Sequence, residues 1–479
     1  MSRSSFTLIA VGIALAGCGA REELDALSSP RRSAFPPASS GGSGGVLASG
    51  GSGGLPAQGG AHWGGSAGLG GQAGVHVGGG AGASAGGGAG ASGGGASGES
   101  GAASQAGGGG STNSDPCLPN PCQNGGRCFP VMAKTLCKCV NGFIGALCEL
   151  PSFEPLGVAL GASRSRAQAI SADGQVVVGN LQFAATFDWQ GFRWTRETGY
   201  VPLGFLSTAN GESEAAAVSA DGTFIAGDSS DTLERPVRWA ADLQISNLGI
   251  APMRNNGYVT GISGDGAVVV GFAYSNTDIV DYMFRWTALG MQEIGQGRAE
   301  GISSDARVIV GYVAPTDGEF GNAASWGTGS ADPASLAAAP GFQYTSAHAT
   351  NSDGSVIVGE AFNWDTSAHA VRWTSAGLED LGTLPGDNHC AAFAVSADGS
   401  LIAGQSSTMS LYDDDGRAMI WDAKQGMRAL IDTLIAQGAA LDGWQLIRVS
   451  GVSADGSVLV GWGKDPTGTI EAFVARLEL

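Results

Sequence analysis

Three histidines, His348, His369 and His389, stand about 20 residues apart late in the chain. Imidazole is a common metal ligand, but these three fall in different strand contexts and share no local motif, so no zinc site is expected from them. A second set of groups is acidic. Asp188, Asp228, Asp231, Asp278, Asp281, Asp317, Glu319, Asp365, Asp413, Asp414, Asp415 and Asp465 occupy corresponding segments of a recurring pattern. Carboxylates gathered on one face would draw a cationic or metal-bridged partner. Asp228, Asp231, Asp278, Asp281, Asp317, Asp365, Asp413, Asp414 and Asp415 are the binding candidates on that argument. Catalytic signatures are missing: there is no phosphate loop, no His-Glu-x-x-His and no Gly-x-Ser-x-Gly. Cys390 has no partner in the cysteine count and reads as a buried, inert thiol. No catalytic residue, metal ligand or cofactor is assigned, and no enzyme activity is expected.

The elements that carry the acids are repeats. Ser-x-Asp-Gly followed by a β-branched run ending in Gly recurs from Phe153 onward, as in Ser171-Ala-Asp173-Gly174 with Val176–Gly179. Further copies centre on Asp221, Asp265, Asp305, Asp353, Asp398 and Asp455, at steps of 48, 44, 40, 48, 45 and 57 residues. Seven units with a period in the forties predict a seven-bladed β-propeller of four strands per blade, an all-β fold over residues 153–479. Strand a ends at the Ser, Asp-Gly turns the hairpin, and strand b is the Val/Ile run. Strand c carries Trp194, Trp239, Trp286, Trp326, Trp373 or Trp421, a packing layer between blades. Strand d carries Leu-Gly. The seventh unit lacks a strand d, whereas Phe153–Gly157 is a strand d with no a, b or c before it. Ring closure by that segment is expected, because it removes an exposed edge. In such a blade the b–c loops and d–a connections share one face, which would be long-looped and acidic.

The repeats resemble the HAF family of extracellular repeats, named for His-Ala-Phe ahead of the tryptophan. His369-Ala370-Val371-Arg372-Trp373 through Leu381-Gly382-Thr383-Leu384 is the nearest copy. That family implies an architecture and no established chemistry.

Charge and glycine are distributed unevenly. Residues 151–479 carry 37 acids against 17 bases, which argues against nucleic acid as a partner. Residues 41–110 hold 33 glycines, and Glu99 is their one charged side chain. Residues 18–112 therefore read as a disordered Gly/Ser/Ala-rich tether spanning very roughly 50–60 Å. Before it, Arg3, an apolar run from Phe6 to Leu15 and small residues make an export signal over residues 1–17. Leu15-Ala16-Gly17-Cys18 resembles the lipobox of bacterial lipoproteins, which implies diacylglyceration of Cys18 and a lipid anchor. Gly19 follows in place of an aspartate, favouring the outer membrane or cell surface.

Six further cysteines, Cys117, Cys122, Cys128, Cys137, Cys139 and Cys148, lie within 32 residues. In an exported chain that density means a disulfide scaffold, and spacing alone leaves 15 connectivities open. Asp115-Pro-Cys-Leu-Pro-Asn-Pro-Cys-Gln-Asn-Gly-Gly-Arg-Cys128, with Cys137-Lys-Cys139, Gly142-Phe143, Gly145 and Cys148, resembles an EGF-like domain over residues 113–149. The resemblance implies pairs Cys117–Cys128, Cys122–Cys137 and Cys139–Cys148. Calcium is a partner that this motif does not support, since Pro130 and Thr135 stand where a ligand and an aromatic would be. The functional expectation is a cell-surface lipoprotein acting as a non-catalytic binding module for an extracellular protein or glycan. The alternatives are a secreted hydrolase or lyase with its site in the central funnel, and a self-associating envelope protein.

Overall fold

The computed structural model describes residues 115–131, 134–184, 188–207, 211–230, 232–314, 321–327, 332–364, 366–411 and 414–478. Cys18, the tether and the candidates Asp231, Asp317, Asp365 and Asp413 lie outside the described residues, as does the side chain of Asp278. The chain is all-β with one described α-helix, Leu430–Ala436. No helix among the described residues is long and apolar enough to cross a membrane.

The repeats fold as antiparallel four-stranded sheets. Repeat 1 runs Ala162–Ile170 (a), Val177–Phe183 (b), Trp189–Thr195 (c) and Gly199–Pro202 (d), hydrogen-bonded in that order. Repeat 2 runs Glu212–Val218, Ile225–Ser230, Glu234–Trp239 and Ile245–Asn247 in the same order. Between repeats 3 and 4 one long strand, Gly290–Ile302, leaves the first sheet as d and enters the next as a. Strand b begins with an apolar run and is buried on both faces because sheets cover it from both sides. Val176 and Val178 of repeat 1 pack with Ile225, Val237 and Trp239 of repeat 2, and Val177, Phe192 and Trp194 pack with Val460, Ala472 and Val474 of repeat 7. Five of the six strand-c tryptophans are buried and Trp286 is partly so. Each contributes at most about 4–6 kcal/mol by area. The arginine before a tryptophan covers the next one: Arg238 lies 5.0 Å from the Trp286 ring and Arg372 4.3 Å from that of Trp421. This face-to-face array of four-stranded meanders is the architecture of β-propellers.

Each Ser-x-Asp-Gly turn is knit by its own side chains. In repeat 1 the Ser171 hydroxyl donates to Asp173 at 2.6 Å and accepts the Val176 N–H at 2.9 Å, while Asp173 accepts the Gln175 N–H at 3.0 Å. The same donors hold the carboxyls of Asp265 and Asp305 below the usual range, led by the hydroxyls of Ser263 and Ser303. Turn residues also bond from repeat to repeat. The Ala172 N–H donates to the Ala220 carbonyl, Ala220 to Gly264 and Gly264 to Ser304, each at 2.9 Å. Asp305 then donates to Ser352 (3.2 Å), Ser352 to Ala397 (3.3 Å), Ala397 to Ala454 (3.0 Å), and Ala454 to Ala172 (2.9 Å). All the x residues are Ala, Gly or Ser, since little room remains: a Cβ on Gly264 would overlap the Ser304 hydroxyl.

The N-terminal module carries disulfides Cys117–Cys128, Cys122–Cys137 and Cys139–Cys148. It joins the repeats without a linker. The N–H of fully buried Ser152 donates to the Gly142 carbonyl at 2.7 Å, and the Ser152 carbonyl accepts the Arg476 N–H at 2.7 Å. Phe153–Gly157 pairs antiparallel with Ile470–Arg476, Phe153 opposite Ala475 and Glu154 opposite Val474. Arg476 also forms an ion pair with Glu154 at 2.9 Å.

The turn glycines are held at positive φ and meet strand b of the preceding repeat; Gly222 has φ of 71° and its missing Cβ would lie 2.5 Å from Val176 Cγ2. Gly222→Ala is expected to lower stability by at least about 1–2 kcal/mol. Gly204→Ala, at a position with open space and no positive φ, should change it by less than about 0.5 kcal/mol. Urea unfolding midpoints of the two variants check the contrast.

Candidate functional site

Every strand a is broken by a β-bulge at the same place. The register slips across Gln168, Ala216, Thr260, Glu300, His348, Phe393 and Ser450, each three residues before the turn Ser or Asn. Opposite each slip, strand b has a glycine: Gly179, Gly227, Gly271, Gly311, Gly359, Gly404 or Gly461. A Cβ there would overlap the carbonyl oxygen of strand a, so only glycine admits the bulge. Bulges re-aim side chains. All seven of the bulged residues line one cavity of about 260 Å³, which also touches strand a of every repeat.

Strand a runs from this cavity to the turns. The seven turn segments are joined by main-chain hydrogen bonds at roughly 5 Å per step, the spacing of hydrogen-bonded neighbours.

The wall of the cavity mixes apolar and polar residues, and its polar groups are mostly satisfied. The Thr260 hydroxyl donates to the Ala299 carbonyl at 2.7 Å and that of Ser450 to the Ala167 carbonyl at 2.6 Å, each reaching the next repeat. Arg298 pairs with Asp281 at 2.8 Å and lies 4.2 Å from the Phe272 ring. Arg448, buried, donates to Gln405 Oε1 and to the Leu411 carbonyl, both at 2.6 Å, with its guanidinium 4.3 Å from the Phe393 ring. His348 differs: it is buried and its Nε2 has no hydrogen-bond partner. Burial first, then the charge of Arg448, pushes its pKa down to about 3, so the imidazole is neutral. Glu300 occupies the bulge of the preceding repeat, where Gly301 lies so near that a Cβ would meet the His348 carbonyl at 2.8 Å.

In repeats 1 and 2 the residue after the strand-b glycine ties one repeat to the next. Asn180 accepts the Ala215 N–H and Asp228 the Val259 N–H, both at 2.8 Å. Asp228 is thus a buried strand residue, which corrects its expected place on an exposed loop; an unpaired strand-a amide at the bulge needs an acceptor there. The other described acids of that set are also engaged. Asp281 pairs with Arg298, Asp414 with the buried Arg166 at 2.9 Å, and Asp415 with Lys464 at 2.7 Å. Asp281, expected on a loop, lies in strand c, and it and the loop residue Asp414 supply counter-charges to arginines of strand a, which buried guanidinium groups require. Asp188 lies by Glu212, whose pKa rises to about 7 through burial and then the Asp188 charge.

The histidines separate. His369 pairs with Asp380 at 2.9 Å on the outer strands, His389 starts strand a of repeat 6, and only His348 lines the cavity. Among the described residues no three His, Cys, Asp or Glu side chains converge as a metal site. Cys390 is buried in the core beside Met427, and burial raises its thiol well above the usual range. The bulge residues went unnoticed in the sequence, although a signal was present. Each is a variable position inside a uniform frame, as in Ala167-Gln-Ala-Ile-Ser171, Ala299-Glu-Gly-Ile-Ser303 and Ala392-Phe-Ala-Val-Ser396.

Residues 117–147 match the EGF-like domain family. Among solved structures, the chain is similar to an oligogalacturonate lyase in complex with manganese, at 14% identity over 68% of this chain and 93% of that one, with a TM-score of 0.47. It is also similar to the β-propeller domain of the Trilobed protease from Pyrococcus furiosus, at 12% identity over 66% and 95% of the two chains and a TM-score of 0.43. TolB from Acinetobacter baumannii aligns at 13% identity over 54% and 66%, with a TM-score of 0.39. At these values the similarities bear on no residue of the cavity.

Because the imidazole of His348 gains protons less readily folded than unfolded, the unfolded chain binds more protons between its ordinary pKa near 6.5 and about 3. Stability then falls as pH drops through that window. Glu212, raised to about 7, acts oppositely, its contribution being lost as pH rises. In His348→Gln the loss of stability from about pH 7 to about pH 4 should shrink by up to about 3 kcal/mol, measured by denaturant unfolding across pH. An unchanged slope would mean that the ring is open to protonation in the fold.

Proposed function

We propose that this chain is an exported lipoprotein, anchored through Cys18 at the cell surface, whose seven HAF-type repeats close into a seven-bladed propeller that binds and does not catalyse. Its tether would hold the EGF-like module and propeller off the membrane, where the propeller takes a small group of a glycan or protein partner into its axial cavity. The observation that carries this reading is the convergence of seven β-bulges, one per repeat, on a single cavity. A bulge stands at every inner strand, with a glycine opposite it. Together the bulges present seven independently variable side chains to one space.

The composition of that space supports a binding role. About 260 Å³ suits a sugar residue or an amino-acid side chain more than a drug-sized molecule. Glu300 and Gln168 bring polar side chains and Phe393 an apolar wall. The hydroxyls of Thr260 and Ser450 donate to main-chain carbonyls, whereas a nucleophile would be hydrogen-bonded to a base. The hydrolase or lyase reading rests on one observation, that Glu300 and His348 stand at the bulges of consecutive repeats and bring an acid and an imidazole to the same cavity. Ring closure is supported by the pairing of Phe153–Gly157 with Ile470–Arg476 and by the turn hydrogen bonds that lead from Ala172 back to Ala172.

Two measurements test these readings. In Phe153→Cys/Ala475→Cys the two positions are cross-strand neighbours, and oxidation should yield an intrachain cross-link seen by non-reducing peptide mapping. An open array would not form it. For the cavity, Ala216→Trp puts bulk at a bulge. Saturation-transfer NMR against hydrolysed cell-envelope glycans and peptides should show binding by the natural chain, weakened at least about 10-fold in the variant. Binding that survives the tryptophan would sink the axial site, and conversion of the bound species would favour the enzyme reading.

A further inference from the structure

The EGF-like module carries a surface that the axial cavity does not explain. Its hairpin pairs Arg127–Val131 with Lys134–Lys138 in a register that sets Arg127 opposite Lys138, Phe129 opposite Leu136 and Val131 opposite Lys134. Opposed residues and alternate residues of a two-stranded sheet share a face. These six side chains therefore lie together, while Cys128 and Cys137 point to the other face and its disulfides. All six are exposed, with Phe129 at 44%, Val131 at 47% and Leu136 at 58%. Three apolar groups are flanked by three cations with no acid among them, on a chain whose net charge is -19. The module's own acids lie off this hairpin and are engaged locally: Asp115 accepts the Cys117 N–H at 2.9 Å and Glu149 the Leu147 N–H at 2.8 Å.

We infer that this hairpin face docks on the anionic headgroup surface of a lipid bilayer. Cations beside exposed aromatic and aliphatic side chains match such a surface, where phosphates meet the ammonium and guanidinium groups and the rings enter the acyl boundary. Chain order agrees, since residues 18–112 lead from the proposed anchor into this module and reach the acidic repeats only after it. The repeats, with 37 acids against 17 bases, are repelled by the same surface, so the molecule would sit with its module against the bilayer and its propeller outward. The inference uses the acylated Cys18 of the proposed function only to bring the hairpin near; the face binds lipid by its own chemistry.

The test uses the chain from Gly19 onward, exported behind a cleavable signal that leaves no lipid, and vesicle sedimentation. Vesicles of phosphatidylglycerol and phosphatidylcholine in equal parts should bind it roughly 100-fold more tightly than pure phosphatidylcholine, and added salt should erode the preference. Lys134→Glu/Lys138→Glu, at exposed positions clear of the disulfides, should abolish that preference, and Leu136→Ser should weaken binding to the anionic vesicles. Equal binding to both vesicles, or a preference untouched by the charge reversal, overturns the inference. So does concentration-dependent self-association without vesicles that the charge reversal removes, because a second copy would then be the occupant. Failure of the anchor reading appears separately, as an intact mass of the full-length chain from its own envelope that lacks acyl groups.

Discussion

A main-chain amide in each Ser-x-Asp-Gly turn, donating to the carbonyl of the next repeat, sets the distance at which all inner strands stand from one another. Bonds this close tolerate only Ala, Gly or Ser at the x position. The same approach forces each turn glycine against the first apolar residue of the preceding strand b, as Gly222 meets Val176 and Gly399 meets Val356. The Ser and Asp side chains are spent inside the turn, which leaves the main chain free to bond outward. A motif that invites a catalytic reading is in this molecule a structural joint.

From that spacing follows the use of the bulges. Inner strands this close cannot point large side chains at the axis in regular alternation. One bulged residue per strand aims a single side chain inward, and the glycine opposite makes the space for it. Charge is organised around the same geometry. Arg166 and Arg298 sit on inner strands and are met by Asp414 from a connection between strands b and c and by Asp281 from strand c itself. An acidity of the loops that suggests attraction of an outside partner is in good part internal compensation.

The N-terminal module is bound to the repeats through Ser152, through Arg476 and at the turn where Gly142 abuts Gly438 and Ala439. Side chains at Gly142 would overlap that backbone, which explains a glycine at positive φ on a small scaffold's surface. Joined this way, a module with basic and apolar exposure and a repeat domain with strong negative charge have opposite affinities for an anionic surface. A flexible joint would lose the orientation that this contrast creates.

Periodicity, turn chemistry and cysteine spacing are local properties, and they made the repeats, the strand order within each, the tryptophan layer and the module readable from the residues alone. The disulfide pairing followed from resemblance, since spacing left it open. Phe153–Gly157 could be recognised as a strand without a sheet of its own because Leu156-Gly157 keeps the repeat's distance to Ser171. The cavity could not be recognised so easily. A bulge is defined by two strands together, so Gln168, Glu300 and His348 look like ordinary alternating strand positions until the register with Gly179, Gly311 and Gly359 is known. The roles of Asp228, Asp281 and Asp414 likewise depended on partners in other repeats, brought within hydrogen-bond reach only when sheets stack. Composition determined what each repeat is; the packing of one repeat on the next decided which side chains face the axis and which charges are already met.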